Sequence, residues 1–190
     1  MSGNIIIFIL VGAGLSAAVG FRVFIPFLVL SILSLMGQVK LTSEFQWIAS
    51  YPALIVFGAA TLFEIGGYFI PWLDNILDTI ATPVAVIAGA IIMASVLSEI
   101  SPLLKWSLAI IAGGGIAGTV QSATGLLRAG STATTGGLAN PVLSATEAGV
   151  SFGISTLTIL LPVLAFILLF IIFYWITKKY GKKLFSIKNR

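Results

Sequence analysis

The sequence predicts an all-α protein, a polytopic bundle of transmembrane helices with about five crossings. Of its 190 residues, 58% are hydrophobic and only 8% are charged, whereas a soluble globular domain carries about 25% charged residues. Apolar runs with almost no charge recur along the chain. Such runs are long enough to cross a hydrocarbon core of roughly 30 Å as helices.

The first apolar run covers about residues 4–36. It is long for one crossing and contains Pro26, which removes a backbone donor and clashes with the preceding helical turn. We therefore expect a kink or break near Arg22–Pro26. A polar stretch separates this run from the second, residues 47–70, which carries Glu64 near its end.

We expect residues 71–83 to form an acidic connector with some amphipathic character. The third apolar run, residues 84–97, and the fourth, residues 106–127, follow this connector. Residues 129–141 then read AGSTATTGGLANP, a stretch rich in Gly, Ser and Thr that contains no charge. The last long run covers about residues 150–176. These runs give the five predicted crossings.

Six of the ten basic residues lie in the last thirteen positions. Basic residues after an apolar run mark a cytoplasmic end beside anionic lipid, so we predict a multi-pass protein of the plasma (inner) membrane with a cytoplasmic tail, residues 178–190, and no nucleic-acid partner. Five crossings also put Lys40 and Lys105 inside, and the N-terminus outside. A sixth crossing, made by splitting the last run at Pro162, would put both lysines on the wrong side.

The chain contains no cysteine and no histidine. Disulfides, thiolate chemistry and the usual zinc and haem ligands are therefore excluded, and so is the commonest general base. No HExxH motif is present. Asp74 and Asp78 could share a helix face and bind a metal-linked phosphate, but a solvated acidic loop is the favoured interpretation. We expect no cofactor, no metal and no enzymatic activity.

A pattern of the form G-x-x-x-S-A-x-x-x-x-R occurs twice, at residues 12–22 and 118–128. Each copy is followed, at differing spacings, by a proline, an E-x-G and a P-V. We predict a weak inverted repeat in a single transmembrane domain, residues 1–177, with halves of about 4–100 and 104–177. The repeated glycines and serines favour close helix packing over a pore lining, and they offer an interface for a homodimer.

Four charged residues lie within or at the ends of apolar runs: Arg22, Glu64, Arg128 and Glu147. A charge at the bilayer centre costs roughly 2.5–3.5 kcal/mol on insertion scales, so it persists when paired or facing water. We expect each arginine to pair with one glutamate. The pairs either lock the bundle or line a solute path, where arginine is a fixed anion contact and glutamate can titrate.

Residues 129–141 are too polar for lipid, and irregular backbone at membrane depth is tolerated only where it is covered or lines a cavity. We favour a re-entrant or cavity-lining loop over an ordinary extracellular one. Gly136-Gly137 permits positive φ, and Asn140-Pro141 suits the start of a helix whose free N–H groups can bind an anion. The loop contributes these candidate substrate-binding residues: Ser131, Thr134, Thr135, Gly136, Gly137 and Asn140.

Two stretches carry a family resemblance: ATTGGLANP followed by S-x-x-E, and GLSAAVGFRVFIPFL near the N-terminus. The chain resembles an uncharacterised bacterial membrane family, domain of unknown function 4126. The most specific part covers Thr134 to Pro141 with Ser144 and Glu147, and the Arg128 stretch before it. The resemblance implies a small multi-span protein and supplies no activity.

The sequence favours a small transporter or channel for a small polar solute or ion, with a weak preference for an anion. The alternative is a protein that handles anionic lipid, as a flippase or as a structural scaffold with membrane lipid as its partner. A membrane enzyme is the weakest of the three hypotheses. The candidate binding residues are the four intramembrane charges and the loop residues named above.

Overall fold

A computed structural model describes residues 2–67, 71–98, 100–168, 171 and 178. All regular structure in these residues is helical, which confirms the predicted all-α bundle. The elements are α1 (Ser2–Phe21), α2 (Phe24–Leu35), a 3₁₀ helix (Ser43–Ala49), α3 (Tyr51–Gly67), α4 (Pro71–Val96), α5 (Pro102–Leu108), a π-helical segment (Ala109–Gly114), α6 (Gly115–Thr135) and α7 (Asn140–Leu160).

Helix α1 runs antiparallel to α4, because its residues meet α4 in reverse order. Gly12 lies against Met93, while the Ser16 hydroxyl, one turn later, donates a hydrogen bond of 3.0 Å to the carbonyl of Gly89, one turn earlier. The side chains between them are small, so the two helices approach closely.

Helix α6 and the π-helical segment before it also run antiparallel to α4. Gly113 lies against Met93, and Gly118 lies against Val86. Since both α1 and α6 oppose α4, they run in the same direction. The predicted inverted repeat requires the two copies of the arginine pattern to run in opposite directions, and these contacts contradict that part of the prediction.

The predicted break in the first run is confirmed, and it turns the chain back on itself. Helix α1 ends at Phe21, and its last backbone bond joins Arg22 N–H to Ala18 at 3.1 Å. The amide of Thr42 donates to Ser95 at 2.9 Å, which brings the chain after α2 to the end of α4 that also contacts α1 near Gly12. Helix α2 therefore returns toward the end at which α1 begins.

Up to Leu160, the described helices form six legs, namely α1, α2, α3, α4, the α5–α6 leg and α7. The extra leg comes from the first run. The chain also breaks beside Pro162, because α7 ends at Leu160 and residues 162–168 are helical again after Leu161. At 12 residues α2 is about 18 Å long, shorter than a hydrocarbon core. The start of α1 lies at the same end of the bundle as Lys40 and Lys105, whereas the five-crossing arrangement puts it opposite them.

Two segments predicted to connect helices are themselves helical. Helix α4 begins at Pro71 and continues through Pro83, so the acidic connector is its first half; the side chains of Asp74 and Asp78 lie outside the described part. Helix α6 continues to Thr135, so only the turn 136–139 remains of the predicted loop.

By length and apolar composition, two of the described helical stretches can each cross a membrane, Pro102–Thr135 and Asn140–Leu160. A third results if the 3₁₀ helix and α3, bent by 66°, count together as one span. Three shorter apolar stretches accompany them: Ile5–Phe21, Phe24–Leu35 and Ile80–Val96. The basic tail lies outside the described residues, apart from Lys178.

The predicted packing role of the small-residue pattern is confirmed inside the bundle. A Cβ added to Gly20 would lie 2.5 Å from the Cβ of Val120, and one added to Gly118 would lie 2.7 Å from a methyl of Val86. Because both contacts are shorter than van der Waals distance, only glycine fits these positions without movement of the neighbouring helix.

Candidate functional site

Glu64 lies at the chain break that follows α1. Its carboxylate accepts hydrogen bonds from the backbone amides of Val23 at 2.8 Å and Phe24 at 3.0 Å. The first amides of a helix have no partner within the helix, and a negative charge there interacts favourably with the positive end of the helix dipole. Glu64 therefore caps the start of α2.

Arg22, at the tip of the α1–α2 hairpin, is 1% exposed and points toward α7. Its Nη2 donates to the hydroxyl of Ser144 at 2.7 Å and to a carboxylate oxygen of Glu147 at 3.0 Å. Ser144 and Glu147 are three residues apart, so they lie on one face of α7. This face receives the guanidinium group.

Arg128 reaches the same carboxylate from α6. Its Nε donates to Glu147 at 3.2 Å, and its Nη2 forms an ion pair with the other carboxylate oxygen. The hairpin between α6 and α7 puts Arg128 and Glu147 on facing helices, 19 residues apart in sequence. Two-point contact of a guanidinium with a carboxylate fixes orientation as well as charge.

Both arginines thus meet on Glu147, and we call Arg22, Arg128, Ser144 and Glu147 the Arg–Glu cluster. The prediction that each arginine pairs with its own glutamate is wrong, because Glu64 caps a helix instead and forms no ion pair within the described residues. Glu147, at 7%, is the most exposed of the four residues, so the whole cluster is buried. Removing one member of a buried ion cluster typically costs 3–5 kcal/mol.

The predicted binding residues of the loop lie in different surroundings in the structure. Thr134 and Thr135 are exposed, and their hydroxyls donate to carbonyls of their own helix, which explains why α6 continues through them. Gly136 and Gly137 form the turn, with φ of +63° and +87°. Asn140 is buried, but its amide donates to the hydroxyl of Thr132 at 3.1 Å and does not cap α7.

Ser131, the remaining loop candidate, is half-buried within α6. In the described part of the chain no group of three acidic side chains is placed to hold a metal ion.

Sequence reasoning missed Ser144 and Ser151 as members of the site. Ser151 is fully buried, and its hydroxyl donates to the carbonyl of Ala18 at 2.9 Å, so it ties α7 to the end of α1. The signal was available, because Ser144, Glu147 and Ser151 follow a three- and four-residue spacing that puts them on one helix face.

A comparison with protein families matches residues 9–179 to the family described as domain of unknown function (DUF4126). The match covers most of the 190 residues, so the chain belongs to this family. Neither the curated proteins nor the solved structures contain a match to the chain.

Proposed function

We propose that this DUF4126 protein transports a small anion through the Arg–Glu cluster. We further propose that it resides in the inner membrane, with its basic tail in the cytoplasm. One observation carries the proposal: guanidinium groups from two hairpins converge on a single carboxylate. In this proposal the side chain of Glu147 occupies the place that a substrate anion takes during transport.

The chemistry of the cluster suits exchange of one anion for another. Arginine stays charged at accessible pH, and its planar donors match two oxygens of a carboxylate or a similar anion. A small anion that enters can therefore replace Glu147 between Arg22 and Arg128.

In this proposal the α1–α2 hairpin is the part that moves during the exchange. The tip of the α1–α2 hairpin is joined to α7 through Arg22, which bonds to Ser144 and Glu147. When an anion replaces Glu147, this joint loosens and the hairpin can shift against α7. Alternating access in small transporters rests on such movement of one helical unit against another around a buried site.

Flux of small anions into proteoliposomes tests the proposal. Acetate is the first anion to assay, because it matches the carboxylate of Glu147, and chloride and phosphate follow. We expect Arg22→Ala and Arg128→Ala to abolish flux. Lys105→Met is the matched control, since Lys105 is a buried base paired with Glu44 away from the cluster. Normal flux in folded Arg22→Ala and Arg128→Ala proteins would refute the proposal.

A second candidate is the handling of lipid, as a flippase or a scaffold. An apolar cavity of about 310 Å³, lined by Phe27, Trp47 and Phe57 among others, favours it, because such a cavity admits hydrocarbon chains. Lipid scrambling in the same vesicles, measured with a labelled anionic lipid, separates the two functions. Scrambling without anion flux would favour the lipid function.

A further inference from the structure

An apolar groove runs between α3 and α4, which hardly touch each other. It consists of a cavity of about 580 Å³ and a second of about 310 Å³, which share the lining residues Val23, Phe24 and Val84. Both volumes lie in the range of about 300–1,000 Å³ that small-molecule sites occupy. We call this feature the α3 groove.

The two ends of the α3 groove differ in chemistry. The smaller cavity is lined by aromatic and aliphatic side chains, with Trp47 and Phe57 among them. The larger cavity contains Glu64 and Gln121 in an otherwise apolar lining. The groove is therefore amphiphilic along its length, with its polar groups at one end.

Gln121 is the observation that points to a ligand. The residue is 6% exposed and lines the larger cavity, and its side-chain amide makes no hydrogen bond within the described residues. The residue lines the cavity, so its unpartnered amide is available to a polar group of a ligand there.

Glu64 defines the charge of that partner. Its carboxylate oxygens each accept one backbone amide, from Val23 and Phe24, and a carboxylate offers about four acceptor sites. Acceptor capacity therefore remains for a donor in the cavity. A cationic donor gains the most, because hydrogen bonds between charged groups are roughly twice as strong as neutral ones.

We propose that the α3 groove binds a single-chain amphiphile with a primary ammonium head group. The ammonium donates to the Glu64 carboxylate and to the Gln121 carbonyl oxygen, and the hydrocarbon chain extends past Phe24 toward Trp47. The site shares no residue with the Arg–Glu cluster, although Phe21 and Val23 of its lining adjoin Arg22, and the proposal does not depend on anion transport.

The test uses a photoreactive dodecylamine in nanodiscs that contain the full chain, with the labelled peptides identified by mass spectrometry. We expect labelling on α3 and α4, with competition by unlabelled dodecylamine at least tenfold stronger than by dodecanoate or dodecanol. At equal free aqueous concentrations, lengthening the amine from ten to twelve carbons should strengthen competition by about fourfold per methylene, the factor expected for moving hydrocarbon out of water.

Two variants and one control locate the site. Gln121→Leu keeps the volume and removes the amide, and Ala60→Phe fills the larger cavity from its α3 wall. We expect labelling to fall at least fivefold in the first and to vanish in the second. Thr119→Val, an exposed position two residues from Gln121, should label normally.

Equal competition by the amine, the acid and the alcohol would overturn the proposal, as would full labelling in Ala60→Phe. A cross-link between two copies through Leu62→Cys, with no labelling by the amine, would assign the groove to a second copy of the chain and would also overturn it. Because anion flux is assayed separately, failure here leaves the function of the Arg–Glu cluster to its own test.

Discussion

The two copies of the arginine pattern share residues and differ in structure. After Arg22 the helix stops and the chain folds back, whereas after Arg128 α6 continues to Thr135. Both guanidinium groups nevertheless reach the same carboxylate. The difference lies in the following glutamates: Glu64 faces the free amides of a broken helix, and Glu147 faces two arginines. The surroundings of each glutamate, and not the E-x-G pattern, decide its role.

The largest expected effect on this comparison is the loss of Glu147. Glu147→Leu leaves two buried guanidinium groups without their shared carboxylate, so we expect the free energy of unfolding to fall by about 3–5 kcal/mol. Denaturant titration in detergent micelles measures it. Arg22→Met should cost less, because Glu147 then keeps Arg128. A larger loss in Arg22→Met than in Glu147→Leu would contradict the shared carboxylate.

The next effect is the loss of the cap at Glu64. Glu64→Ala removes the acceptor of two amides at the start of α2, and loss of a helix cap costs about 0.5–2 kcal/mol. The same titration should rank it below Glu147→Leu. A destabilisation equal to that of Glu147→Leu would mean that the two glutamates play equivalent roles, as the repeat alone suggests.

The two turns of the hairpins provide a smaller test. The α1–α2 turn is buried at Arg22, whereas the α6–α7 turn is exposed and uses Gly136 at φ +63°. Gly136→Ala should destabilise by about 1–2 kcal/mol, because a Cβ is strained in the left-handed region. The control is Gly130→Ala, a helical position with open space around it, which should stabilise by up to about 1 kcal/mol. Equal changes in stability for Gly136→Ala and Gly130→Ala would contradict the left-handed conformation of Gly136.

The smallest effect is expected at the other end of the bundle. Lys105 pairs with Glu44 at 2.5 Å, but the Glu44 side chain is 58% exposed and water solvates it when the pair is lost. Lys105→Met should therefore shift the thermal midpoint far less than Arg22→Met. A shift in the Lys105→Met protein as large as that in Arg22→Met would show that burial of the partner carboxylate does not determine how much each ion pair stabilises the fold.

The sequence was sufficient for the helical class, for the break near Arg22 and for the three charged residues of the Arg–Glu cluster, but not for Ser144. Composition and Pro26 carry the first two, and the cost of charge in apolar runs carries the third. The pairing of the charges was not predictable, because it depends on which helices are neighbours and in which direction they run. The reversal of α2 after Arg22 decides this, and no local pattern encodes it.

The loop prediction failed for a different reason. Hydroxyl groups were taken as too polar for a helix in an apolar setting, but Thr134 and Thr135 donate to carbonyls of their own helix. Local hydrogen bonds of this kind satisfy hydroxyls without a loop or a cavity. Positive φ at Gly136 and Gly137 was the part of the motif that carried structural information.

Double-mutant cycles test the central claim most directly, because they measure which glutamate each arginine contacts. We combine Arg22→Met and Arg128→Met with Glu147→Gln and with Glu64→Gln, and measure the free energy of unfolding. Contacting residues couple by about 0.5–3 kcal/mol. The account predicts that both arginines couple more strongly to Glu147 than to Glu64. Stronger coupling of Arg22 to Glu64 than to Glu147 would contradict it.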